Sequence, residues 1–237
     1  MSGHSKWATI KRQKGANDAK RGAVFTKLGN QIAIAARSGT DPEMNAALAI
    51  VIERAKAANM PNANIQRSLD RVKDKSAAAV EEVTYEAYGP GGIGLIVECA
   101  TDNRKRTYPE VRTALTKNGG TMAEQGSVAF QFTRKGVIHV EASGEEALLA
   151  VLDSGAEDAV EEDGMLIVYT DAKELMKVRQ AIGDSGLKVK DAELAYVPNA
   201  TVEITDQTIA NKVMKIMNAV DDLDDVVNVH SNFDIKD

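Results

Sequence analysis

Residues 134–197 read RKGVIHVEASGEEALLAVLDSGAEDAVEEDGMLIVYTDAKELMKVRQAIGDSGLKVKDAELAYV, and the order of periodicities in this stretch decides the fold. Val137–Val140 is a short apolar run of strand type, and Glu145–Asp153 switches to helical spacing. Asp158–Val160 and Leu166–Tyr169 flank Glu162-Asp163-Gly164, the composition of a hairpin turn. Ala172–Ile182 returns to helical spacing and Leu187–Val197 to a strand. The order β-α-β-β-α-β predicts a ferredoxin-like unit, two helices on one face of an antiparallel sheet.

On either side of this stretch the chain supplies two incomplete halves. Downstream, Thr201–Ile204, Thr208–Val220 and Val226–Phe233 read as strand, helix and strand. Upstream, Val83–Tyr88 alternates, Gly89–Gly92 turns, and Ile93–Cys99 is an apolar strand. Pro109 then opens a predicted helix carrying Val111 and Leu115, stopped at Asn118-Gly119-Gly120. Ser127–Phe132 reads as a strand with Val128, Phe130 and Phe132 on one face. Residues 81–133 and 198–237 are therefore expected to close a second ferredoxin-like sheet around the inserted one, 134–197.

The first 80 residues differ in period. A helix from Asn17 or Asp18 to about Arg37 places Val24, Phe25, Leu28, Ile32 and Ala35 inward and leaves Lys20 and Lys27 toward water. Ser38-Gly39 ends it, and Asp41-Pro42 offers a capping carboxylate and a first-turn proline for a second helix. That helix would bury Met44, Leu48, Val51, Ile52 and Ala55. After Met60-Pro61-Asn62 a third follows, with Ile65, Leu69 and Val72 inward. The expectation for 1–80 is a basic arm plus a three-helix bundle, joined to the rest by a linker near 74–81. The whole chain is predicted to be α+β.

Charge is distributed unevenly along the 237 residues. Residues 1–75 hold 14 Lys or Arg and six Asp or Glu, net +8, whereas 76–237 hold 15 and 29, net −14; together they give the overall −6. Eight of those bases (Lys6, Lys11, Arg12, Lys14, Lys20, Arg21, Lys27 and Arg37) stand in the first 37 residues against Asp18 alone. Clustered cations without competing acids attract a polyphosphate, because each neutralised phosphate releases condensed counterions. The acidic remainder repels the same polymer and suits a basic protein partner. Apolar runs such as Ala46–Ile52 are too short to span a membrane, and the single cysteine, Cys99, fits a reducing compartment.

The residue order is more specific than the count. Gly3-His4-Ser5-Lys6-Trp7, followed by Ile10-Lys11, Asp18, Arg21, Phe25 and Lys27, resembles the opening signature of the YebC family. The likeness continues through Tyr88-Gly89-Pro90-Gly91-Gly92 and Thr101-Asp102-Asn103. Members of that family are named probable transcriptional regulators, and a mitochondrial branch is known as translational activators. The resemblance implies a split architecture and a nucleic-acid-binding regulator that is not an enzyme. It leaves two targets open: DNA, or RNA and the ribosome. Because the signature starts two residues after Met1, the expected location is the bacterial cytoplasm.

The expected contacts are Lys6, Trp7, Lys11, Arg12, Lys14, Lys20, Arg21 and Lys27, with Arg104, Lys105 and Arg106 as a second cluster. Trp7 either stacks on an exposed base or anchors the arm to the first helix. Arg104–Arg106 is either an anion-binding corner or a solvated turn. No cofactor or metal is expected, since His4, His139 and His230 lack partners at ligand spacing. The Gly89–Gly94 stretch lacks the Gly-Lys-Ser/Thr ending of a phosphate loop and reads as a turn.

Overall fold

The computed structural model describes residues 18–73 and 79–235, with side chains from Arg21 onward in the first helix. Helix α1 (Asp18–Ala35) continues through a short 3-10 turn, Ala36–Ser38, and packs with α2 (Ala46–Ala57) and α3 (Asn62–Lys73). Leu28, Ile32, Leu48, Ile52, Ala55 and Ile65 fill the space between them. The second helix starts later than Asp41-Pro42 predicts. Asp41 instead makes a local turn, its Oδ1 accepting from the Glu43 amide at 3.0 Å. Asn45 wins as the cap because one side chain serves both helices. Its Oδ1 accepts from the Leu48 amide at 3.1 Å, and its Nδ2 donates to the carbonyls of Ala35 and Gly39 at 2.8 and 2.7 Å. Met44 falls outside the helix and is 87% exposed rather than buried, and Val24 is also exposed.

The split sheet has strand order β3-β1-β2-β9, formed by β1 (Glu81–Tyr88), β2 (Gly94–Thr101), β3 (Thr121–Met122) and β9 (Val226–Ser231). Helices α4 (Arg104–Lys117) and α7 (Gln207–Asp221) supply Val111, Leu115, Val213, Ile216 and Met217 to the core over Leu95 and Val97. β1 and β2 form an antiparallel hairpin, and the turn between them depends on glycine. Gly91 has φ +80°, and a Cβ there would stand 2.8 Å from the Ile204 side chain. That packing makes Gly89–Gly92 a structural turn.

Three local expectations change here. Ser127–Phe132 is not a strand, because the Glu86 carboxylate accepts from the amides of Gly126, Val128 and Ala129 at 2.6, 2.6 and 2.8 Å. Those donors are then unavailable to a ladder. Ala129–Gln131 turns as a 3-10 segment, and Phe130 is 72% exposed. Helix α4 opens at Arg104 rather than Pro109, since Asn103 Oδ1 accepts from the amides of Lys105 and Arg106. Pro109 lies inside the helix and forfeits one internal hydrogen bond. Finally, β8 (Val202–Ile204) stays out of the sheet and pairs in parallel with β10 (Phe233–Ile235). The second sheet, expected to include it, takes β1 beside β2 instead.

The inserted sheet has order β5-β6-β4-β7, from β4 (Phe132–Val140), β5 (Asp158–Glu162), β6 (Met165–Asp171) and β7 (Val189–Pro198). Helices α5 (Glu145–Asp153) and α6 (Leu175–Asp184) enclose Ile138, Val140, Val151, Leu166, Val168, Val178 and Ile182 with it. The β5–β6 turn has positive φ at Asp163 (49°) and Gly164 (75°), the requirement of a two-residue hairpin. Phe132 and Pro198 are register partners, so the two ends of the insertion are neighbours.

Candidate nucleic-acid interface

Among the described residues, basic side chains converge where α3 meets the start of α4. Arg71, in the last turn of α3, donates from Nη1 to Asn30 Oδ1 at 3.2 Å and from Nη2 to Asp102 Oδ2 at 2.8 Å. The other Asp102 oxygen accepts from Arg106 Nη2 at 3.2 Å. Arg106 also donates to both Asp225 oxygens, at 2.9 and 2.8 Å. Asp225 is buried and further accepts from the hydroxyls of Thr107 and Thr101 at 2.6 and 3.1 Å. Burial alone would raise its pKa, but the donors Thr107, Arg106 and Thr101 outweigh this and hold the carboxyl below its ordinary value. Arg104 forks onto Glu81 with bonds of 2.7 and 2.8 Å.

The second predicted cluster is therefore divided by the structure. Arg104 and Arg106 are committed to carboxylates, while Lys105 is exposed and makes no ion pair among the described residues. One helical turn on stands Tyr108, 42% exposed, in a T-shaped contact with Tyr85, ring centroids 5.7 Å apart and planes at 63°. Exposed Arg112, likewise without an ion pair among the described residues, follows on the same side. Sequence reasoning missed Tyr108 and Arg112 because it began the helix at Pro109. Starting from the Asn103 cap, the spacing 105, 108, 112 is visible as one edge of a helix.

In the bundle, Arg21 is exposed. Lys27 does not face water as expected: it is half-buried, its ammonium donating to the Asp221 carbonyl with the Asp221 carboxylate 3.8 Å away. The face of α1 that carries it packs on the split sheet, where Ala33 meets Val80 and Ala100. Lys6, Trp7, Lys11, Arg12 and Lys14, together with the side chain of Lys20, lie outside the described residues.

Two adjoining hollows of about 500 and 420 Å³ lie where the bundle, the split sheet and the inserted sheet meet. Their arginines are engaged: Arg54 with Asp191 and Glu193 at 3.4 and 3.2 Å, Arg179 with Glu53, and Arg134 over the Tyr196 ring. Cys99 is buried, and burial pushes its thiol up to about 12, so the neutral form persists at physiological pH. His139 and His230 are buried sheet residues, the latter with Nε2 2.8 Å from Glu98 Oε2. Among the described residues no helix is long and apolar enough to cross a membrane.

The chain is similar along its whole length to known proteins. The family description "TACO1/YebC protein N-terminal domain" matches residues 5–75, and "TACO1/YebC second and third domain" matches 80–233. A protein of Halothermothrix orenii named "Probable transcriptional regulatory protein" is 45% identical over 244 residues, covering 100% of this chain and 96% of its own. One of the same name from Herpetosiphon aurantiacus is 46% identical over 243 residues, with the same coverage. The crystal structure of a conserved hypothetical protein from Aquifex aeolicus superposes with a TM-score of 0.88 at 41% identity, over 93% of each chain.

Proposed function

The chain belongs to the TACO1/YebC family, and on that premise we propose that it is a DNA-binding regulator of transcription rather than an enzyme. Relatives named as transcriptional regulatory proteins support the regulatory role. The observation that carries the binding mode is the segregation of charge, +8 on residues 1–75 against −14 on the rest. Lys6, Lys11, Arg12, Lys14, Lys20 and Arg21 take phosphates, with Trp7 beside them, and Lys105 adds a contact from α4. Lys27, Arg104 and Arg106 act as internal ties that hold the frame. Contacts of this type fix position on the polymer and read its shape rather than base edges. Screening confines each field to roughly 8–10 Å, so the acidic inserted sheet points away and is free to meet a basic protein surface. The cytoplasm is where such a regulator works.

The test is a salt titration of binding to duplex DNA and, in parallel, to a structured RNA of equal length. Replacing Lys11, Arg12 and Lys14 with Ala should weaken DNA binding at every sequence. It should also lower the slope of log K against log salt by about 0.9 per lost contact. An unchanged slope in the folded triple variant would refute the assignment to the basic head. Tighter, less salt-sensitive binding of the RNA would transfer the reading to translation.

A further inference from the structure

The cations around the start of α4 sort into two kinds, and the sorting exposes a strip that the charge count does not reveal. Arg71, Arg104 and Arg106 are each fixed by a carboxylate at 2.7–3.2 Å. Lys105 and Arg112 are exposed and hold no acid among the described residues. They occupy positions i and i+7 of one helix, two turns and about 10.5 Å apart along its axis. Between them, at i+3, stands Tyr108. The nearest acid in the helix, Glu110, projects from another side, and Glu81 is already held by both Arg104 nitrogens.

We infer that this strip binds an unpaired nucleotide, with Tyr108 stacking on the base and Lys105 and Arg112 taking the phosphates that flank it. The proposal rests on the reading of the chain as a nucleic-acid binder and names a second site for it, separate from the basic head. Three observations carry it. Tyr108 is exposed while its ring makes a T-shaped contact with Tyr85, centroids 5.7 Å apart, so it is positioned for stacking without the full entropy cost of freezing a loose side chain. It is also bracketed by two exposed cations of the helix that hold no ion pair among the described residues. In addition, the neighbouring arginines are neutralised in place, so they brace the helix and do not compete for the strand. A ring on a convex helix surface meets a base only when that base is unstacked, which selects a single-stranded segment over a duplex. DNA and RNA strands share this chemistry.

The experiment uses the full chain and short single strands of DNA and of RNA carrying one 2-aminopurine, whose fluorescence is quenched by stacking. The wild-type protein quenches it on binding. Tyr108→Ala should abolish the quench and weaken binding about 5- to 100-fold, whereas Tyr108→Phe should keep both. Lys105→Ala with Arg112→Ala should keep the quench at saturation and lower the salt slope by about 1.4, two contacts at 0.7 each for single strands. Equal quench with the DNA and RNA strands supports a stacking site blind to the sugar; quench with one alone supports the site and names its strand. A Tyr108→Ala protein that quenches and binds like the wild type overturns the proposal, as does an unchanged salt slope in the double variant. If Tyr108→Ala is silent while the Lys11/Arg12/Lys14 variant loses duplex binding, only this inference fails. A wild-type chain that binds no strand and no duplex removes both readings.

Discussion

The two sheets of this protein each have four strands, in different orders, and are held together differently. The inserted sheet is built from 67 consecutive residues, Phe132–Pro198, and its prominent ion pairs lie outside. Lys177–Glu174, Lys188–Glu141 and Lys135–Glu157 are all at least partly exposed. The split sheet is closed by β2 and β9, whose register partners Leu95 and Ser231 are 136 positions apart, and that seam is lined with polar bonds. Asp225 binds Thr101, Arg106 and Thr107. Glu98 accepts from Asn228 at 3.2 Å and meets His230 at 2.8 Å. The Gly94 amide donates to Asn232 Oδ1 at 2.8 Å, and Ser231 Oγ donates to the Gly94 carbonyl at 3.0 Å. Each of these bonds joins a residue before the insertion to one after it. Apolar burial is non-directional and tolerates slippage, whereas a hydrogen-bonded carboxylate accepts one register. Where a short turn sets the register, as at Asp163-Gly164, such pins are unnecessary. Where the chain leaves and returns, they take the turn's place.

The sharpest break in this comparison is Asp225→Ala. It leaves the buried Thr101 and Thr107 hydroxyls without their acceptor, while Arg106 keeps Asp102 and water, and we expect a loss of about 1–3 kcal/mol by chemical denaturation. A loss below about 1 kcal/mol would mean that the apolar core alone sets the seam. The next effect comes from acid. For Asp225, Glu98 and Glu86, burial acts to raise the pKa. It is outweighed by donors from Thr107 and Arg106, from His230 and Asn228, and from the amides of Gly126, Val128 and Ala129 respectively. Their folded values thus lie below the unfolded ones. The stability they contribute is fully present above the ordinary carboxylate range, near pH 4, and is lost as pH falls through the depressed folded values. Amide exchange monitored from pH 6 downward should show β2 and β9 losing protection before β4 and β6. Simultaneous loss would dissolve the distinction. The smallest effect is expected from Lys177→Ala, which removes an exposed pair on α6 and should change stability by less than about 0.5 kcal/mol.

The same contrast decides what was legible in the sequence. In the inserted sheet all the strands and helices follow one another without interruption, so periodicity and one turn suffice to write its order, although β4 and β7 meet across 66 positions at Phe132 and Pro198. The split sheet is hidden because its decisive contacts are distant. The alternation of Val128, Phe130 and Phe132 reads as a strand until Glu86, some forty positions earlier, takes the local amides. Nothing in Val202–Ile204 announces that it will pair with Phe233–Ile235 instead of entering the sheet. Two competing caps shifted helix starts, Asn45 over Asp41 and Asn103 over Pro109, each because a side chain amide reached backbone groups that spacing alone does not show. Lys27 was read as solvent-facing because amphipathic logic grants a helix one buried face, and α1 has two. Charge located the Arg104–Arg106 cluster, but only the paired carboxylates reveal that two of its three members are spent.

The adjacency of Phe132 and Pro198 also has a kinetic meaning. Zipping β2 to β9 requires closing a loop of well over a hundred residues, and the entropy of that closure is spent before any contact across the seam repays it. If the inserted sheet folds first, its two ends meet, and 67 residues of slack vanish from the loop in a single event. The insertion then acts as a scaffold for the sheet that surrounds it. During synthesis it is complete while β9 is still to be made, so β9 emerges to find its partner already waiting at short range.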